Sequence, residues 1–311
     1  MQKSPPLLNT NPATPYCAIM TDDAETILNY AAEGAESQFG SALVTLVDVR
    51  GGASRALGAQ MAVRGDGGYC GYVSGGCTEA AVAAEAIEAI GNGVDRYLLL
   101  GEGSRFFDIV LPCGGGITLA IHVLKDANSV HEVLALLRSR RRIALGYDPH
   151  RQSVRVLGPS ISAGWDDGLF VRSYRPKARL IFCGRGIELE TAMRLATASA
   201  FETLSFDGRS PAKIDDHVDQ DTAVALLFHD IDQEIPFLKA ALAQEPFYLG
   251  ALGSRRTHEK RCQALLALGY SETQIERIKA PIGMFGPVRD AGTLALSVLA
   301  DVAVAYSNRS S

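Results

Sequence analysis

Apolar and polar positions along the chain follow two periods, and the switches between them mark its elements. Residues 21–36 carry helical spacing and residues 42–48 a strand pattern. A short strand at 59–63, an Asp66-Gly67 hairpin signal and an apolar run at 69–73 follow. From Thr78 the pattern turns helical: Val82, Ala86 and Ile90 recur on one face, as do Ala83 and Ile87, until Gly91-Asn92-Gly93 stops it. Strands are expected at 96–100 and 117–123, a helix at 130–137, and strand-like runs at 142–147, 154–157 and 169–172. Between 158 and 176 the periodicity fades, and Arg175-Pro176 marks a linker.

A cleaner pattern begins at Arg179. A buried strand (179–183), the tight turn Gly184-Arg185-Gly186, a helix (188–200) and a second strand (202–206) ending at Asp207 match the first βαβ unit of a dinucleotide-binding fold. Strands at 222–228 and 248–252 alternate with helices at 232–243, 257–268 and 291–305. The fold expected is α/β: an N-terminal mixed α/β domain over 21–172 and a C-terminal Rossmann-like parallel-sheet domain over 173–311, after a disordered tail at 1–20.

Composition narrows the class. The 311 residues are 47% hydrophobic with net charge −5, which describes a folded protein and not a general nucleic-acid binder. No apolar run approaches the roughly 20 residues of a membrane span. The first fifteen residues lack the pattern of an export signal, so a cytoplasmic setting with reduced thiols is expected. The six cysteines form no CxxC pair, and no four ligands have zinc-site spacing. Cys183 and Cys262 fall in strand and helix patterns and read as packing residues.

Two turns carry candidate chemistry. Ser74-Gly75-Gly76-Cys77 lies between a strand and a helix, where converging amides and the helix N-terminus favour an anion and a thiolate. Cys113-Gly114-Gly115 repeats that chemistry. Two thiolates brought together could ligate a soft metal or pass sulfur; the plainer reading is two small residues tolerated in glycine turns. In the C-terminal half, Gly184, Gly186 and Asp207 could hold a dinucleotide, although Leu189 stands where a third glycine is usual. Asp207 could equally cap the next loop. Ser254-Arg255-Arg256 opens a helix after a strand, which suits a phosphate or a plain N-cap by Ser254. No Ser-His-acid spacing, HExxH element or Walker loop supports a hydrolase or NTPase.

Taken together, these stretches resemble the XdhC/CoxI family of molybdenum-cofactor accessory proteins. The resemblance rests on the loop 50–61 with Arg55 and Gly58, on Ser74-Gly75-Gly76-Cys77-Thr78-Glu79 and on Leu111-Pro112-Cys113-Gly114-Gly115. It continues through the turn at 180–186, His229-Asp230, the stretch from Gly250 to Arg256, Ala280-Pro281-Ile282-Gly283 and the segment 295–301. Gly184-Arg185-Gly186-Ile187 stands where the family commonly has Gly-Ala-Gly-His. The resemblance implies a homodimeric chaperone that binds the molybdenum cofactor (molybdopterin) and assists its sulfuration with a cysteine desulfurase. It would then insert the cofactor into a client hydroxylase of the xanthine dehydrogenase or carbon monoxide dehydrogenase type. Cys77 and Cys113 would contact molybdenum or its sulfur, and Arg55 with the amides of Ser74, Gly75 and Gly76 would hold oxyanions. The alternative, from the glycine turn alone, is an NAD(P)-dependent oxidoreductase that uses the C-terminal domain.

Overall fold

The computed structural model describes residues 13–101, 115–159, 162–199, 201–207 and 214–309. The chain divides into two compact units that meet at Pro176/Lys177.

The first unit is built on a six-stranded sheet in the order β1-β4-β3-β2-β6-β5. Its strands are β1 (Tyr16–Ile19), β2 (Ser41–Arg50), β3 (Gln60–Arg64), β4 (Gly68–Gly71), β5 (Arg96–Gly101) and β6 (Gly116–Val123). All neighbours are antiparallel except β1 and β4. The disordered tail expected over 1–20 therefore ends sooner: Tyr16 and Cys17 pair in parallel with Gly68 and Tyr69. Residues 1–12 lie outside the described residues.

Side chains alternate across the central strands, so the sheet is apolar on both faces. On one face Ala42, Val44, Leu46, Leu119 and Ile121 pack against Val82, Ala83, Ala86 and Ile87 of α2 (Glu79–Asn92). Full burial of Val82 and Ile87 stabilises by about 1.5–3 kcal/mol each. On the other face Leu43, Ala62 and Cys70 meet α1 (Ala24–Ala35) and α3 (Asn128–Arg138).

A second, antiparallel sheet has the order β8-β7-β10-β9, from β7 (Ile143–Asp148), β8 (Ser153–Leu157), β9 (Gly164–Asp166) and β10 (Leu169–Tyr174). Two of these strands occupy the stretch whose pattern fades, and β10 runs two residues past the expected end of its strand. The reason is a long-range contact. The register of β2 slips between Leu46 and Asp48, and the Trp165 indole N–H donates to the Val47 carbonyl at 3.0 Å.

The second unit is a five-stranded parallel sheet, β12-β11-β13-β14-β15. Its strands are β11 (Arg179–Gly184), β12 (Glu202–Phe206), β13 (Thr222–Leu227), β14 (Tyr248–Ala251) and β15 (Ile278–Lys279). Helices α4 (Ile187–Ala198) and α8 (Ala291–Ser307) cover one face, through Leu180, Phe182, Ala225 and Leu227. The other face receives α5 (Ile231–Gln244) and α6 (Arg255–Ala267), through Ile181, Cys183, Val224 and Leu226. A short helix α7 (Glu272–Ile275) precedes β15. Because the third strand pairs with the first on the side away from the second, the topological switch point lies between the carboxyl ends of β11 and β13. Among the described residues no helix is long and apolar enough to cross a membrane.

Candidate functional site

The antiparallel pairings place the ends of β2, β4 and β5 on one edge of the first sheet, together with the starts of β3 and β6. The Cys77 turn leaves β4 at that edge. Gly115, two residues after Cys113, leads into β6 at the same edge, where Gly116 pairs with Arg50. Cys113 and Gly114 themselves lie outside the described residues.

The loop between β2 and β3 touches both places. A Cβ on Gly115 would lie 2.3 Å from the Gly52 carbonyl oxygen, so the backbone approach there requires glycine. Ser54 lies beside Gly75, with its Oγ 3.4 Å from where a Gly75 Cβ would be. The Arg55 Nε–H donates to the Ser74 carbonyl at 3.3 Å; the guanidinium also meets Asp22 at 3.3 Å and lies 5.6 Å from the centre of the Tyr72 ring. Gly58 stands apart from this group. It is buried against Ala163 and Arg172, so its lack of a side chain serves packing rather than a ligand.

The turn differs from the anion cradle expected from the sequence. The buried carboxylate of Glu79 accepts from the amides of Val73 (3.2 Å), Ser74 (2.7 Å) and Thr78 (3.2 Å) and from the Ser74 hydroxyl (2.8 Å). Thr78 adds a hydrogen bond to Ser74 Oγ at 2.9 Å. The Ser74 amide is therefore engaged inside the protein, and a carboxylate stands behind the turn. What faces solvent is Gly75, Gly76 and the Cys77 thiol, whose amides have no partner among the described residues. Gly76 holds this exposed arc with a φ of +100°.

Burial separates the other thiols. Cys70 is enclosed, and desolvation pushes it up to about 11; Cys183 is raised by the same cause. Cys262 packs on α6 with its sulfur 3.6 Å from His258 Nε2. Cys17 is the surprise. It is exposed on β1, beside the strand that leads into the turn, with its sulfur 3.9 Å from the Tyr72 hydroxyl. Its position on a short strand in an apparent tail hid it from the sequence reading.

In the second unit a cavity of about 670 Å³ opens at the carboxyl ends of β13, β14 and β15. Ser254 and Arg255 line it; Gly184, Gly186, Asp207 and Arg256 do not. A Cβ on Gly184 would lie 2.7 Å from the Leu227 carbonyl oxygen, so that glycine permits strand packing. The Arg185 guanidinium donates to the Asp207 backbone carbonyl, across the end of β12. Leu189, which stands where a third glycine is usual, packs against the core on that face. Ser254 caps α6, accepting from the Thr257 amide at 3.3 Å.

Leu252 of the cavity wall is held by a buried pair the sequence reading missed. Arg261 on α6 and Glu234 on α5 are 0% and 1% exposed, with Nε–Oε1 at 2.6 Å and Nη2–Oε2 at 2.9 Å. A further guanidinium N–H donates to the Leu252 carbonyl at 2.8 Å, where the chain leaves β14. The rim segment from Gly283 to Phe285 is tied to α8, because the Phe285 amide donates to the Ser297 hydroxyl at 3.0 Å. The signal available for this rim was Pro281-Ile282-Gly283 and Gly286-Pro287 between a strand and a helix.

Comparison with known proteins agrees with this division. Residues 36–100 match the model of the XdhC and CoxI family, and residues 180–302 match the XdhC Rossmann domain. The chain is 51% identical over 289 residues to the molybdenum cofactor insertion chaperone PaoD of Escherichia coli, covering 93% of this chain and 91% of PaoD. It is 26% identical over 286 residues to the E. coli protein YqeB, of which the match spans 46%. Among solved structures, a protein described as a xanthine dehydrogenase from Bacillus halodurans superposes with a TM-score of 0.70 over 91% of this chain and 96% of that one, at 20% identity. That last likeness speaks for the fold alone. With both halves of the chain matched and one relative alike at half of all aligned positions, this protein belongs to the XdhC and CoxI family.

Proposed function

We propose that this protein is a molybdenum-cofactor insertion chaperone that carries its cargo at the Cys77 turn. The single observation behind the reading is the 51% identity, along almost the whole chain, to a protein of that description. The local chemistry suits it. Cys77 is exposed, follows Gly75 and Gly76, whose amides have no partner among the described residues, and its turn is touched by a loop carrying Ser54 and Arg55. Among the described residues no three His, Cys, Asp or Glu side chains gather as a metal-ligand set. A thiol in such a place would add one soft ligand, or one sulfur contact, to a metal that its pterin dithiolene already holds.

In the finer form of the proposal, a cysteine desulfurase supplies the terminal sulfido ligand and Cys113 joins Cys77 at the cargo. The client is a hydroxylase of the xanthine dehydrogenase or carbon monoxide dehydrogenase type. The carrier acts as a homodimer in the cytoplasm, and its Rossmann domain takes a phosphate or nucleotide portion of the cargo or a partner protein. The alternative of an NAD(P)-dependent oxidoreductase rests on Gly184, Gly186 and Asp207, none of which lines the cavity.

The test is to purify the protein from cells that make the cofactor, oxidise it, and read pterin fluorescence together with molybdenum by mass spectrometry. Wild type should carry both, and Cys77→Ala should carry at least tenfold less. A wild-type protein free of pterin that takes none up in vitro, or a Cys77→Ala protein as loaded as wild type, ends the proposal.

A further inference from the structure

The cavity of the second unit has a composition that the cargo reading of Cys77 does not account for. At about 670 Å³ it lies in the range of small-molecule sites. Two arginines line it, Arg255 at the first position of α6 and Arg289 just before α8, and neither has a partner among the described residues. Three helices, α4, α6 and α8, begin at its wall. Ser254 caps α6 and Asp290 caps α8, whereas α4 starts at Gly186 with no capping side chain, which leaves its first amides open to an acceptor.

The same wall carries a second kind of surface. Phe285 is 51% exposed although Ser297 anchors its backbone, so its ring is presented rather than packed. Glu188, in the first turn of α4, and His229, just past the end of β13, stand together with Oε1 and Nε2 3.7 Å apart. Two guanidinium groups on one cavity wall suit a pair of phosphates, a presented aromatic ring suits a base, and the Glu188 carboxylate can accept from a sugar diol. A simple phosphate would use the arginines and leave the rest idle.

We infer that this cavity binds a nucleoside diphosphate group, with Arg255 and Arg289 on the phosphates, Phe285 on the base and Glu188 on the ribose. The site lies at the β13 to β15 ends of the sheet and not in the Gly184 turn. It belongs to the second unit alone and stands whether or not Cys77 holds a pterin. Such a group could arrive as a free nucleotide or inside a pyrophosphate-bridged dinucleotide, and the two differ in whether the terminal phosphate is esterified.

The test titrates the full-length protein by calorimetry with ADP, CDP, GDP and UDP as free diphosphates, with NAD as an esterified one, and with inorganic pyrophosphate. At least one nucleotide should bind with millimolar or better affinity, and the arm that binds names the source. Arg255→Ala and Arg289→Ala should each weaken it at least tenfold. Phe285→Ala should weaken the nucleotide while leaving pyrophosphate unchanged. Thermal unfolding of each variant at the wild-type temperature excludes a folding defect. No binding by any nucleotide overturns the assignment. So does binding indifferent to both arginine variants, or binding lost in Asp207→Ala, which would return the site to the glycine turn. Failure of the Cys77 pterin assay would leave this titration untouched.

Discussion

Each unit places one buried carboxylate beside its candidate site, and the two are satisfied in opposite ways. Among the described residues Glu79 is met only by neutral donors, the amides of Val73, Ser74 and Thr78 and the Ser74 hydroxyl. Glu234 is met by a guanidinium, that of Arg261. In the first unit, then, the carboxylate gathers the turn around itself and pushes a thiol and three amides outward. In the second, Arg261 is taken up by Glu234 and the Leu252 carbonyl, and Arg255 and Arg289 at the cavity wall have no partner among the described residues. A glycine turn before a helix is therefore a different object in the two units. Which groups are open to a ligand depends on what the nearest buried carboxylate has already taken.

The comparison can be broken most easily in the second unit. Arg261→Ala strands Glu234 in the core, releases the Leu252 carbonyl, and should cost about 3–5 kcal/mol in a urea titration. A loss below about 1 kcal/mol would mean the pair does not brace the chain at Leu252. Next in size is Glu79→Ala, which leaves three amides and a hydroxyl without their acceptor and should cost roughly 2–3 kcal/mol. Cys77→Ala is its control: the side chain is exposed, so stability should stay within about 0.5 kcal/mol of wild type even where pterin loading is lost. Equal stability of the Glu79 and Cys77 variants would remove the contrast between the two carboxylates.

The smallest expected effect sharpens the same point with a third acid. Asp95 is buried, which by itself raises its pKa, but hydrogen bonds from His122, the Val123 amide and the Tyr147 hydroxyl together hold it below the ordinary aspartate value. An acid lowered in the folded state adds stability above its unfolded pKa of about 3.9 and loses it as pH falls through the folded one. Asp95→Asn should therefore cost about 1 kcal/mol near pH 7 and flatten the acid limb below about pH 4. A mutant acid limb as steep as that of wild type would show that other carboxylates set it.

Much of the fold was legible because burial leaves a periodic trace. β11 and β13 are covered on both faces and read as continuous apolar runs, which is the pattern of a parallel sheet. α2 declared itself through Val82, Ala83, Ala86 and Ile87. β9 and β1 did not. They are short and largely exposed, and each exists through its neighbour, β9 by pairing with β10 and β1 by pairing with β4.

The sites follow the same division. From sequence alone came the residue types and their local setting: a cysteine at the end of a glycine turn, arginines at the head of α6, a Rossmann-type alternation after Arg179. Those are properties of neighbours along the chain, and spacing records them. Only the tertiary structure decided that Glu79 would claim the Ser74 amide, that Gly184 would serve a strand contact, and that Arg255 and Arg289 would line one wall. Amides and guanidinium groups take the nearest acceptor in space, and the fold, not the spacing, brings that acceptor within 3 Å.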